Sequence, residues 1–329
     1  GALVRAVGQP SVLGELLAGV IVGSSVLGLV DPQVEVVHLM AELGVILLLF
    51  AIGLETDLKK LVQSGGVSAA VALVGVALPF ALGYGSCRLL GLSNLVAIVA
   101  GASLTATSVG ITARVLSDLG RLQEPESQII LGAAVIDDVV GLIILTVVAG
   151  LTRGEQVTVA SAAGVAGAAF GFLAVTLVGG SLAISPLVRL LGKFRPPATP
   201  TILALIFALA LAWLADKAGS AVIIGAFVAG VLIARTPRAG EIEHGITELG
   251  HVFVPIFFVS VGAAIDVRVF NPVDPENRTT LMVGGLLVLA AVLGKFAAGY
   301  AVPWFKGRKH VIGVGMIPRG EVGLIFAQM

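Results

Sequence analysis

The stretch Gly132-Ala-Ala-Val-Ile-Asp137-Asp138-Val-Val-Gly141 sets two adjacent carboxylates near the middle of a run that is otherwise uncharged from Ile129 to Leu151. A lone acid in hydrocarbon costs ~2.5–3.5 kcal/mol on insertion scales. A second one beside it adds like-charge repulsion. Two such residues give the chain no packing advantage, so they are read as its functional centre.

The composition agrees with an apolar surrounding. Hydrophobic residues make up 57% of the 329 positions and charged residues only 12%, and the mean hydropathy is +1.06. A soluble domain carries roughly 25% charged residues. The formal net charge is zero, which offers nothing to a nucleic acid. Cys87 is the one cysteine, so neither an intrachain disulfide nor a thiolate metal site can form. The 43 glycines suit close helix approach in a bilayer. The chain reads as an all-α polytopic membrane protein whose partner is the lipid bilayer; nothing in it predicts a soluble protein partner.

Spans need ~20 mostly apolar residues. Eleven are expected, near 11–30, 34–54, 67–90, 95–116, 128–151, 157–191, 200–216, 219–235, 249–265, 280–304 and from 311 onward. With Arg5 on the inner side, thirteen Lys and Arg fall in inner loops and five in outer ones, leaving Lys295 and Arg319 inside spans. That bias fits the rule that basic loops stay inside. The chain opens on Arg5 and Gln9-Pro10 like a loop before a span and stops at Ala327-Gln328-Met329 inside an apolar run, so both ends read as truncated.

The sequence also repeats. Gly14-Glu-Leu-Leu-Ala-Gly-Val-Ile-Val22 matches Gly225-Ala-Phe-Val-Ala-Gly-Val-Leu-Ile233 at an offset of 211. Ile52-Gly53 with Asp57-Leu58-Lys59 matches Val261-Gly262 with Asp266-Val267-Arg268 at 209, and Ser108-Val-Gly-Ile111 resembles Glu321-Val-Gly-Leu324 at 213. Seven spans separate the copies. An odd number inverts the second copy in the membrane, which is a signature of transporters. By the same offset, the Asp137–Asp138 span should have its partner near 341–363, after Met329.

Two matching segments should be interrupted helices. One is Leu104-Thr-Ala-Thr107-Ser108-Val-Gly-Ile-Thr112, rich in hydroxyls; the other is Met316-Ile-Pro318-Arg319-Gly320-Glu321-Val-Gly323. Pro318 and Gly320 oppose a continuous helix. Interruptions at corresponding positions of two halves point to a site at the membrane midplane. Adjacent helical residues point ~100° apart, so Asp137 and Asp138 should have different neighbours. The economical arrangement pairs Lys295 with one aspartate and leaves the other facing a water-filled cavity, with Thr107 and Ser108 placed to complete a hard-ion shell. Arg319 and Glu321 are read as balancing charge at the break.

These residues resemble a known family. Ala-Thr-Ser-Val-Gly-Ile-Thr-Ala-Arg (106–114), Ala-Ala-Val-Ile-Asp-Asp (133–138), Leu-Gly-Lys (293–295) and Pro-Arg-Gly-Glu-Val-Gly-Leu (318–324) occur in the order found in the cation–proton antiporter superfamily. The likeness is to the electrogenic Asp-Asp branch, the NapA-type bacterial Na+/H+ antiporters. It implies an inverted-repeat antiporter fold with two crossing discontinuous helices, a thirteen-span homodimer of which eleven spans are present, and a bacterial inner-membrane location. It further implies scaffold spans at 1–62 and 197–270, core segments at 66–153 and 278–329, and a linker helix at 155–195. In the family's terms Asp138 binds the transported ion and proton, Asp137 pairs with Lys295, Thr107 and Ser108 line the site, and Glu321 with Arg319 neutralises the crossing. No cofactor is implied; Na+ and H+ are cargo. A K+/H+ exchanger of the same fold is the alternative. An intramembrane aspartyl protease, which draws its two acids from two helices, fits an adjacent pair poorly.

Overall fold

The computed structural model describes residues 4, 8–152, 159–191, 199–272 and 275–319. Its elements are α1 (Ser11–Val22), α2 (Glu35–Glu55), α3 (Leu58–Gln63), α4 (Gly65–Leu89), α5 (Asn94–Ser103), α6 (Val109–Asp118), α7 (Pro125–Thr152), α8 (Val159–Leu191), α9 (Thr199–Lys217), α10 (Val222–Ile233), α11 (Ala239–Ala263), a 3-10 turn (Val267–Phe270), α12 (Pro275–Ala298) and α13 (Lys309–Gly315). Among the described residues seven helices are long and apolar enough to cross a membrane, and α1, α5 and α10 are shorter apolar helices. Each expected span contains one of these helices, except 95–116, which holds two. The last expected span is described only as far as Arg319, and Glu321 lies outside the described residues.

Three boundaries differ from the apolar runs, each for a local reason. α1 stops at Val22, where the Gly23 N–H closes onto the Gly19 carbonyl and Gly28 takes a φ of +65° that turns the chain. α11 starts ten residues before the apolar run at 249. Ile242 and Ile246, one turn apart and buried, draw this polar turn into the helix. α12 ends at Ala298, because the chain turns through Gly299 and Tyr300 before Pro303.

The chain divides into two compact units. The first comprises Gly1–Leu58, Ser117–Gln123 and Gly167–Ala264. In it α2 packs against α10 and α11, α1 against α11, and α9 against α10. The crossings rest on glycine. A Cβ on Gly19 would fall 2.9 Å from the Gly262 Cα, and one on Gly230 would fall 2.8 Å from the Gly53 Cα. Gly230 follows Gly19 by 211 residues and Gly262 follows Gly53 by 209. The two crossings are therefore one contact made twice, as two inverted copies related by a twofold axis require. Small residues allow this approach where lipid offers helices no hydrophobic drive to associate.

The second unit comprises Lys59–Leu116, Glu124–Ala166 and Ile265–Met329. α4 packs on α5, α7 and α12. Pro79, inside α4, is accommodated by Gly294 of α12, where a Cβ would meet the proline ring at 2.8 Å. A buried cluster of Val71, Ala72, Ile129, Ile130, Ala133, Ala298, Ile312 and Met316 ties α4, α7, α12 and α13 together.

Candidate functional site

Both interrupted segments lie in the second unit, and they meet. α5 ends at Ser103 and α6 begins at Val109; α13 ends at Gly315, and Met316–Arg319 continue without helix. The first break follows from its hydroxyls. Ser103 and Thr105 donate to the Ala100 and Ala102 carbonyls at 2.8 and 2.7 Å, side-chain bonds that compete with the helical ladder. The Ser108 Oγ accepts from the Ile111 N–H at 3.3 Å, which starts α6 as an N-cap does. The second break follows from Pro318, which has no N–H and disfavours helix at the residue before it.

Each break supplies what the other lacks. The Ser108 N–H donates to the Pro318 carbonyl at 2.9 Å. Thr112 donates its hydroxyl to the Gly315 carbonyl at 3.1 Å. An Arg319 Nη1 donates to the Ala106 carbonyl, a cation at the carbonyl end of a half-helix, where the dipole favours it. Irregular backbone at membrane depth is tolerated when its polar groups are satisfied in this way.

Against this crossing stands the carboxylate pair. Asp137 on α7 accepts from the Lys295 Nζ of α12 at 2.5 Å, with both side chains 0% exposed. The Thr107 hydroxyl, in the first break, donates to the same Asp137 Oδ2 at 2.7 Å and has the Met316 carbonyl at 3.3 Å. Desolvating an ion pair is offset only when geometry and further hydrogen bonds are good, and Thr107 supplies one. Gly75 of α4 makes room for the lysine, since a Cβ there would stand 3.4 Å from Nζ. Asp138 is 4% exposed and within electrostatic reach of Lys295; Arg319 is within reach of Asp137.

The structure thus brings Asp137, Lys295 and Thr107 into one contact group, with Arg319 on the neighbouring Ala106 carbonyl and in electrostatic reach of Asp137, Asp138 one residue on and Ser108 beside Thr107. Sequence reasoning named none of the backbone participants, the carbonyls of Met316 and Pro318, although the proline break was a pointer to them. Nor did it name Gly75, which nothing distinguished from the other glycines. Two carboxylates, two cations, hydroxyls and non-helical backbone carbonyls at a helix crossing can hold a small hard cation and store a proton.

The chain is similar to the high-affinity Na(+)/H(+) antiporter NhaS3 of Synechocystis, at 39% identity over 97% of this chain and 77% of that protein. It is also similar to the Na(+)/H(+)-K(+) antiporter GerN of Bacillus cereus, at 35% identity over 97% of this chain and 81% of that protein. A solved structure of the sodium proton antiporter MjNhaP1 from Methanocaldococcus jannaschii superposes with a TM-score of 0.66 over 99% of this chain and 83% of that one, at 16% identity, so the fold is shared. The family model for the transmembrane sodium/hydrogen exchanger matches residues 1–329, and the chain belongs to that family of cation–proton antiporters, membrane transporters and not enzymes.

Proposed function

We propose that this protein exchanges Na+, and Li+ by the same route, for protons, with Asp138 as the carboxylate that carries one or the other. The observation that carries this reading is the division of labour between adjacent acids. Asp137 is committed to Lys295 and Thr107, and Asp138 is the second carboxylate on the same helix, beside a crossing whose carbonyls and hydroxyls are hard-ion ligands. A proton and a monovalent cation each neutralise the same Asp138 carboxylate, so release of the one favours entry of the other and the two cargoes compete. If Lys295 also gives up and regains a proton, two protons move per cation and the exchange is electrogenic. All these residues lie in one unit, which suits an elevator mechanism in which that unit moves as a body, in a homodimer built on the other. GerN, named for both Na+ and K+, makes K+/H+ exchange the second reading.

The test is proton flux in proteoliposomes driven in turn by Na+, Li+ and K+. Na+ and Li+ should drive it and Asp138→Asn should abolish it. Na+-driven flux that survives Asp138→Asn defeats the assignment of the exchange site, and flux with K+ alone selects the second reading.

A further inference from the structure

Outside the site, an ion-pair cluster among the described residues of the second unit bears on the crossing by its geometry. Glu126, 5% exposed in the first turn of α7, accepts from the backbone N–H of Arg308 at 2.9 Å and from its Nε at 3.2 Å through the same Oε1. Glu124 pairs with the Nη2 of the same arginine. Arg308 is the N-cap residue of α13. Glu126 therefore fixes the starting point of the half-helix that runs directly into the second break. Gly307 permits the approach: a Cβ there would stand 2.9 Å from the Glu126 Oε1 and collide with the Phe305 ring.

Glu126 precedes Asp137 by eleven residues. At 100° and 1.5 Å per residue the two side chains leave α7 within about 20° of one another and about 16 Å apart. From Arg308 to Met316 the chain runs eight residues, about 12 Å of helix rise, and the side chains at its two ends cover the rest of that interval. At one end Arg308 is held by Glu126. In the middle Ile130 packs with Ile312 and Met316, and a Cβ on Gly315 would strike Ile130. At the other end the Met316 carbonyl meets the Thr107 hydroxyl that donates to Asp137. One face of α7 thus holds the start of the segment that presents the crossing carbonyls directly, and its end through Thr107. α13 has only seven residues, so a shift at its start is not absorbed before the break.

We propose that Glu126 is a positioning residue for ion exchange. Through Arg308 and α13 it sets the register of the Met316 and Pro318 carbonyls against Thr107 and Ser108. This rests on the exchange function proposed above. Apparent KM for Na+ and Vmax are measured in proteoliposomes for the wild type, Glu126→Ala, Glu126→Gln and Arg308→Ala, with melting temperatures alongside. Glu126→Ala should raise KM about fivefold or more and leave Vmax within twofold. Glu126→Gln, which keeps an oxygen for the Arg308 N–H, should fall between it and the wild type. A purely structural role lowers melting temperature and Vmax with KM unchanged, and that result overturns the proposal. Should Glu126→Ala fail to fold, Glu126→Gln and Arg308→Ala are read by the same criteria. A wild type without cation-driven flux defeats the exchange function; an active wild type with variants of unchanged KM defeats only the positioning role.

Discussion

Replacing Lys295 by methionine removes one partner of a pair that is fully buried on both sides and 2.5 Å apart. Methionine keeps most of the stem volume, so the cavity contribution is small. What remains is a carboxylate in an apolar interior, holding the Thr107 hydroxyl and no ammonium. Breaking a buried pair from one side costs about 3–5 kcal/mol, and the retained charge-assisted bond from Thr107 keeps the expected cost near the lower end, about 3 kcal/mol. Asp137→Asn strands the ammonium instead and should cost a similar amount, because Thr107 can then donate only to a neutral amide. The double variant has no charge to strand. Its cost should fall short of the sum of the singles by about 2–3 kcal/mol, well outside the ~0.5 kcal/mol scatter of independent sites. Equilibrium unfolding in mixed micelles, followed by helix content, measures all three. Costs that add within that scatter would refute the claim that the pair is coupled, whatever the distance between the atoms. The Lys295→Met protein also carries a second readout: if the lysine moves the second proton, transport current disappears while exchange persists.

Two further substitutions probe the crossing and the scaffold. Thr107→Val keeps the shape but deletes the hydroxyl shared by Asp137 and the Met316 carbonyl; a lost bond to a charged group is worth about 1.5–3 kcal/mol, so apparent Na+ affinity should fall by about tenfold to a hundredfold, with Thr107→Ser recovering most of it in the same flux assay. Gly230→Ala drives a Cβ onto the Phe50 carbonyl and should cost about 1–3 kcal/mol, and Gly19→Ala, onto Val259, should cost the same, because the two crossings are copies of each other. Gly85→Ala, with open space around it, is the control. Thermal melts that fail to separate Gly85→Ala from the other two would contradict the close approach.

Much of the arrangement was legible along the chain, for identifiable reasons. A bilayer imposes a length on every apolar run, so the helix order, and the correspondence of α1 with α10 and of α2 with α11 as repeat copies, could be read from hydropathy and offset. Pro318 announces its own break because a missing N–H is a property of the residue, not of its surroundings. The start of α11 was not legible. Ile242 and Ile246 look like isolated apolar residues in a polar stretch until α11 is packed and both are covered. Glu126 and Arg308 were hidden for a related reason, since charged residues near span ends are ordinary and only the 182-residue contact between them sets these two apart.

The Asp137–Asp138 stretch marks the division most clearly. The sequence by itself determined that two carboxylates sit at membrane depth on one helix, and that helical geometry points them about 100° apart, so they cannot share a partner equally. Which of them meets the lysine depends on the rotation of α7 and on α12 lying beside α4 with Gly75 opening the space, and that was decided only in the tertiary structure. The contact joins residues 158 apart. Local rules fix the direction a side chain takes from its own helix; what stands in that direction is a property of how distant helices pack.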